Sequence, residues 1–365
     1  MSHLVLGIET SCDETAAAIV RGGEGRGGGP EILSSIVASQ NDLHAEYRGV
    51  VPEIASRAHA ERLLPVVREA AARAGVSLAG VQAVAVGHRP GLIGALLVGV
   101  AGAKALAWSL GVPLVGVDHV HAHLFAGLLV HPGGPVPPRL PEVEPSLPAL
   151  GLVVSGGHTS IYHVAGPSAL TRLGATIDDA MGEAFDKVAA ILGLGFPGGP
   201  AVDHLAQSGN AAAFDLPVSA LGKESLDLSF SGLKTAVLYA ACGVPERGRS
   251  GLSLPCKLDA QGRADLCASF QRAAVRAVLM KLERAADRHR ECRTLLVGGG
   301  VCANRALRAA LEAFAVTRGL ALVLPPLHLC VDNAAMIAGL GVRLLHERAW
   351  MSDSLSLAAV PTTAA

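Results

Sequence analysis

Two different structural phrases occur twice in this chain, in the same order, and that recurrence constrains the fold more than any single motif. Leu4 to Val20 reads as an apolar strand, a polar turn and a second apolar strand, and Ala149 to Val164 repeats the pattern. Each predicts a β-hairpin whose tight turn carries hydroxyls, backbone N–H groups and glycine. Further on, Val84–Gly87 followed by Pro90–Gly99 reads strand, glycine turn, helix, and Thr294 to Arg308 does the same. A strand that enters a helix through glycines leaves N–H groups free to meet phosphate. Strand–glycine–helix is common in α/β proteins, so either segment alone says little. Recurrence of both elements in order points to a duplicated α/β fold with a nucleotide cleft between two lobes. The 365 residues also exceed what one hydrophobic core usually supports.

The expected organisation is an N-terminal lobe over residues 1–130, a Pro-rich linker or loop over 131–147 and a C-terminal lobe over 148–345. The last helix of that lobe is expected to pack back on the N-terminal one, and 346–365 reads as a tail. Segments 22–30 and 243–261, rich in glycine and polar residues, read as surface excursions.

Half of the residues are apolar and 17% are charged, which suits buried parallel strands. A net charge of -1 and 3% aromatics exclude a broad basic face or an aromatic stacking platform. Any nucleic-acid substrate would need a local patch or a partner protein. Cys12, Cys242, Cys256, Cys267, Cys292, Cys302 and Cys330 show no C-x-x-C pairing, which fits buried thiols in a reducing compartment. Lys104 and Pro113 interrupt the most apolar stretch, Leu92 to Val117, and the N-terminus has no targeting pattern. The expectation is a soluble, cytoplasmic protein.

His119 and His123 are spaced i, i+4, so on a helix both imidazoles share a face and can grip one metal. Val120 stands where a zincin would carry its glutamate base. Core or solvated histidines explain the same pair. Asp332 can supply a third ligand or, with Asn333, an ordinary helix N-cap. Two histidines and a carboxylate suit Fe(II) and Zn(II) alike. Asp13 and Glu14 on the first hairpin turn can orient a nucleophile or take a proton, though an aspartate in a turn more often bonds its own backbone. Val153–Thr159 and Val297–Asn304 offer glycine backbone to a ligand without a Walker A lysine. Ile177 to Val188 reads as an acidic-faced helix, Gly195–Asp203 as a Gly/Pro loop whose Asp203 can bond a ribose, and Asp227–Thr235 as a polar turn opening a helix.

Eight of these segments, in this order, resemble one known family. They are Gly7–Thr15, Gly49–Arg57, His119-x-x-x-His123, Ser155–Thr159, Ala184–Lys187, Phe196–Pro200, Phe230–Lys234 and Asp332–Asn333. The resemblance is to the TsaD family, tRNA threonylcarbamoyl-adenosine transferases once labelled O-sialoglycoprotein endopeptidases, and it runs from Leu4 to about Leu345. It implies two ribonuclease-H-like lobes of the actin, Hsp70 and sugar-kinase type. The implied reaction moves a threonylcarbamoyl group from threonylcarbamoyl-AMP to the exocyclic N6 amine of the adenosine just 3′ of the anticodon, in tRNAs that read ANN codons. AMP leaves. The resemblance further implies one divalent metal per subunit on His119, His123 and Asp332, with Fe(II) favoured over Zn(II). Val153, Val154, Ser155, Gly156 and Gly157 would line the substrate site, with Asp186, Gly199, Asp203 and Asn304 on the AMP portion. Asp13, helped by Glu14, would position the amine or accept its proton. Implied partners are tRNA, a TsaB-like paralogue and a TsaE-like ATPase.

The chain departs from the family pattern at Arg48 and Arg89, each usually glycine, at Ala58, usually aspartate, and at Val331 and Ala334, usually threonine and glycine. Arg89 is expected to reshape its turn, because a Cβ disfavours positive φ. Three other classes compete: a metalloendopeptidase, which lacks its glutamate here; an ATPase or sugar kinase, which would leave the paired histidines unexplained; and a non-enzymatic scaffold.

Overall fold

The structure is a computed structural model, and it describes residues 3–22, 29–44, 47, 49–130, 146–219, 221–244, 255–348 and 356–362. Most of the Pro-rich segment 131–147 and of 243–261, together with Arg48, lies outside the described residues.

The first run of elements is β1 (Leu4–Glu9), β2 (Glu14–Arg21), β3 (Glu31–Ser39), α1 (Asn41–His44), α2 (Pro52–Ala74), β4 (Ala83–Arg89), α3 (Ile93–Leu110), β5 (Leu114–Asp118) and α4 (His119–Phe125). The second begins with β6 (Ala149–Val154), β7 (Thr159–Gly166), β8 (Ala169–Ala175), α5 (Met181–Leu192), α6 (Gly198–Ala206) and α7 (Ser231–Cys242). It ends with α8 (Ala260–Arg288), β9 (Thr294–Gly298), α9 (Arg305–Arg318), β10 (Ala321–Val323) and α10 (Ala334–His346).

Two five-stranded sheets result, ordered β3-β2-β1-β4-β5 and β10-β9-β6-β7-β8. In each, the first strand is central. It pairs antiparallel with the second strand, through its hairpin, and parallel with the fourth. This is the strand order of a ribonuclease-H-like lobe, present twice. The repeated hairpins and the repeated strand–glycine–helix units fall where the sequence places them.

The chain divides into two compact units: residues 1–146, 165–170 and 323–365 form one, and 147–164 with 171–322 form the other. In the first unit the central strand is buried on both faces, as alternation requires when helices cover both sides. Leu6 and Ile8 point into a core shared with Leu63, Val67, Val84, Val100 and Leu114. Each such side chain contributes roughly 2 kcal/mol of burial. Gly7 points to the other face, where a Cβ would sit 2.3 Å from the Ala334 carbonyl oxygen and 2.9 Å from the Ala338 Cβ. Absence of a side chain at Gly7 is what lets α10 lie against β1.

Helix α2 begins with Pro52 at its first position and ends at Gly75, whose φ of 67° lets Gly75 and Val76 donate back to the Ala72 and Ala71 carbonyls. Helix α3 meets the length and composition of a membrane span, but it packs on β4 and α2. Part of the segment read as a tail joins this unit: Leu357 enters the core, and the Ala358 carbonyl accepts from His88 Nδ1 at 2.9 Å.

In the second unit, the β6–β7 turn is closed by Ser155 N–H donating to the His158 carbonyl at 2.7 Å and His158 N–H to Ser155 Oγ at 3.0 Å. Strand β9 leaves the sheet through Gly299 at φ 97°, where a Cβ would stand 2.4 Å from the Val154 carbonyl oxygen. One turn of 3-10 helix follows, Gly300–Ala303, and Asn304 then caps α9 through a bond from Leu307 N–H at 2.9 Å.

A candidate metal centre and a ligand pocket

Asp118 ends β5 and caps α4, its Oδ1 accepting from Val120 N–H at 3.0 Å and His121 N–H at 3.2 Å. That cap starts the helix so that His119 and His123 lie one turn apart on one face, ring centroids 4.8 Å apart and edge-on. Asp332 arrives from the segment before α10, whose start is set by Asn333 Oδ1 accepting from Met336 N–H at 2.9 Å. Sequence spacing left the third ligand open between Asp332 and a cap. The structure separates the roles: Asn333 caps and Asp332 faces the histidines.

Asp332 Oδ1 lies 3.1 Å from His123 Nε2 and 3.4 Å from His119 Nε2. On its far side His119 Nδ1 stands 3.0 Å from Glu9 Oε2, and Ser11 N–H donates to the other Glu9 oxygen at 2.5 Å. With the Nδ1 proton donated to Glu9, the Nε2 of His119 turns a lone pair toward Asp332. Three electron-rich atoms then meet in a buried site and repel unless they share a positive charge. Without a metal that charge is a proton. Burial opposes it on His119, yet Asp332 and Glu9 hold this imidazole well above its ordinary range. Burial alone would raise Asp332, but His119 and His123 hold its carboxyl well below the usual carboxylate range. Burial, with His119 beside it, lowers His123. Among the described residues the buried His123 Nδ1 has no hydrogen-bond partner, so the Nε2 contact with Asp332 sets its tautomer. Two imidazoles and a carboxylate, one imidazole backed by a second carboxylate, fit a divalent transition metal in place of the proton. Glu9 is the supporting residue that sequence reasoning missed, because within an apolar strand it reads as an edge residue.

Asp13 and Glu14 lie on the β1–β2 turn. Burial first, then Asp332 and Asp13, push the Glu14 carboxyl up to about 9, and it hydrogen-bonds Asp13. The shift favours the protonated form of Glu14. The turn is held from beneath by His59: its Nε2 donates to the Cys12 carbonyl at 3.1 Å and its Nδ1 accepts from Thr15 Oγ1 at 2.8 Å. Burial lowers the His59 pKa, keeping the ring neutral.

The second unit holds a cavity of about 500 Å³ lined by, among others, Gly156, Asp186, Gly199, Asp203, Asn304 and Arg305. Five of the nine residues expected on the substrate are thus brought together. Val153 and Val154 are buried in β6, so their side chains face the core. Ser155 is committed to its own turn, and Gly157 is not among the lining residues. Asp186 Oδ1 accepts from Gly198 N–H at 2.8 Å, and burial raises its pKa. Its carboxylate shapes the Pro197–Gly199 turn. Asp203 is gripped by Asn304 Nδ2 at 3.2 Å and Arg305 Nε at 2.9 Å. Arg305 went unnoticed in the sequence, although a cation at a helix N-terminus, against the helix dipole, is a usable signal.

Two expectations are corrected. Residues 177–180 are not helical; α5 starts at Met181. Asp178 instead accepts from Ser229 and Ser231 hydroxyls and from Phe230 N–H, while Asp179 meets Lys187 at 2.6 Å and Lys234 at 3.1 Å. The expected Gly/Pro loop over Gly195–Asp203 is helical from Gly198, so Asp203 stands on α6. Arg89 keeps out of positive φ, as its Cβ requires. It extends to Asp118, Nε to Oδ2 at 3.1 Å.

Duplicated ribonuclease-H-like sheets define an α/β protein of the actin-like fold, here with a His–His–Asp cluster and a glycine-rich pocket. The full-length HypF structure in its phosphate- and nucleotide-bound form shares this fold, with a TM-score of 0.58 at 13% identity over 96% of this chain and 47% of that one. The family model described as tRNA N6-adenosine threonylcarbamoyltransferase, TsaD, matches residues 31–339. Relatives of that name are 52% identical in Sorangium cellulosum, over 99% of this chain and 96% of the relative, and 49% identical in Symbiobacterium thermophilum, over 98% and 96%. The chain belongs to the TsaD family.

Proposed function

We propose that this chain transfers the threonylcarbamoyl group of threonylcarbamoyl-AMP to the N6 amine of the adenosine just 3′ of the anticodon, in tRNAs reading ANN codons. The observation that carries this is the convergence of His119, His123 and Asp332 on one buried point, beside Asp13 and Glu14, in a chain of the TsaD family. The amine nitrogen attacks the carbamoyl carbon, the bond from that carbon to the phosphate oxygen breaks, and AMP departs with the electron pair.

An aromatic amine is a weak nucleophile, so the acyl donor must be held at attack distance. A divalent metal on the triad, Fe(II) in preference to Zn(II), would supply Lewis-acid polarisation of the threonylcarbamoyl oxygens. Glu9 fixes the His119 ring for that ligand. Asp13 takes the proton that the amine loses on attack, and the neutral Glu14 keeps Asp13 oriented. Asp186 and Asp203 shape the pocket assigned to the AMP portion, with Gly156 and Gly199 allowing close backbone approach. Near-neutral net charge fits tRNA binding shared with a TsaB-like paralogue, assisted by a TsaE-like ATPase, in the cytoplasm.

The test incubates the purified chain with unmodified tRNA and threonylcarbamoyl-AMP, with and without those partners, and follows nucleosides by mass spectrometry. Threonylcarbamoyladenosine that forms with the wild type and not with His119→Ala supports the reading. No product in any combination, from folded and metal-loaded protein, overturns it in favour of an ATPase or kinase.

A further inference from the structure

A second set of metal-ligating atoms lies in the second unit, apart from its ligand pocket. Helix α8 ends at Arg288, and His289, Glu291 and Cys292 occupy the short turn before β9, closed by Cys292 N–H donating to the His289 carbonyl at 3.1 Å. His163 comes from β7, in the same cross-sheet row as Leu150 and Leu295. The sheet register therefore brings a strand residue beside a turn about 130 positions later.

Glu291 Oε1 receives both imidazoles, His289 Nδ1 at 3.1 Å and His163 Nε2 at 3.5 Å, and the two rings lie 5.0 Å apart. Ligand atoms of His163, Glu291 and Cys292 all fall within 4.8 Å of one another. Bonds of about 2.0–2.3 Å to a tetrahedral cation place ligand atoms about 3.3–3.8 Å apart. The histidine–carboxylate distances lie in or just below that range, and Glu291, half exposed, is free to adjust. The local field also suits a cation. The turn follows the negative end of a 29-residue helix. Arg288 bonds Glu224 and Arg290 bonds the Asp287 carbonyl. Cys292 is buried with its thiol pushed up to about 11, so it is an inert thiol until a metal displaces its proton.

We propose that His163, Glu291 and Cys292 form a second metal site that takes one thiophilic divalent cation of the Zn(II) class, with His289 bonded to Glu291 as its supporting partner. Binding exchanges the Cys292 thiol proton for a metal–sulfur bond and ties the end of α8 to β7. Three protein ligands leave one tetrahedral position for a water. The site is independent of the transferase reading.

Cobalt(II) chloride titrated into the chelator-stripped full-length chain tests this, because thiolate–cobalt bonds give a near-ultraviolet charge-transfer band. The His119–His123–Asp332 centre has no sulfur and gives none. The expected result is a band that saturates by two equivalents, since the first centre takes up cobalt silently, and that is displaced by Zn(II), absent in Cys292→Ser and at least ten-fold weaker in affinity in His163→Ala. Circular dichroism checks folding; if Cys292→Ser misfolds, the solvent-accessible pair His163→Ala and Glu291→Gln decides. No band in the wild type, or a band that survives these substitutions, overturns the proposal, the second outcome pointing to another of the cysteines.

Discussion

Arg89 holds Asp118, Nε to Oδ2 at 3.1 Å, and Asp118 in turn caps the helix that carries His119 and His123. The turn where the family usually has glycine thus braces the candidate metal centre from one residue away. Arg89→Ala should cost about 1–2 kcal/mol of stability, because it leaves the buried Asp118 carboxylate with its backbone donors alone. Asp118→Ala loses the cap as well and should weaken metal binding about ten-fold, while Asp118→Asn keeps most of the affinity. Denaturant titration and metal analysis of the three variants check the order.

Gly7→Val should destabilise the protein by about 3 kcal/mol, since the new side chain would collide with backbone at Ala334 that has nowhere to move. It should also lower metal content, because Asp332 lies two residues before that contact. Normal metal retention at reduced stability would disconnect the two effects.

Asp13→Ala is expected to reduce turnover at least 100-fold with metal content unchanged. Glu14→Gln, which preserves a donor to Asp13, should cost far less. Equal losses in the two variants would show that the two carboxyls handle the proton as a unit.

His59 gives a pH signature. Its folded pKa is lowered by burial, so the unfolded chain binds more protons below about pH 6.5, and stability rises with pH there. Its contribution is complete above the unfolded pKa and is lost as the solution is acidified. His88 is lowered by burial too, so His59→Gln should reduce the acid limb by at most one proton, about 1.4 kcal/mol per pH unit, without abolishing it. Melting curves from pH 5 to 8 measure this.

Much of the architecture was legible because it is local and repeated. A hairpin needs two apolar runs and a turn, and Leu4–Val20 and Ala149–Val164 each contain them. The metal centre was only half legible. His119 and His123 announce themselves through helical spacing, whereas Asp332 lies 209 positions beyond His123, and no periodicity spans such a gap. The family resemblance supplied that link. Glu9 and Arg305 escaped because their roles depend on tertiary neighbours, His119 for one and Asp203 for the other. Asp178 and Asp179 misled the helix reading because acidic residues before a helix look like its first turn until their partners on other segments are known.

The contact of α10 with Gly7 has a consequence for biosynthesis. The sheet that contains β1 is closed by α10, so the face that α10 covers lacks it while some 300 intervening residues leave the ribosome. The second unit, continuous apart from one short hairpin tip, can fold during that interval. The first unit must wait for α10, so its His119–His123–Asp332 cluster assembles only after the second unit's chain has been made.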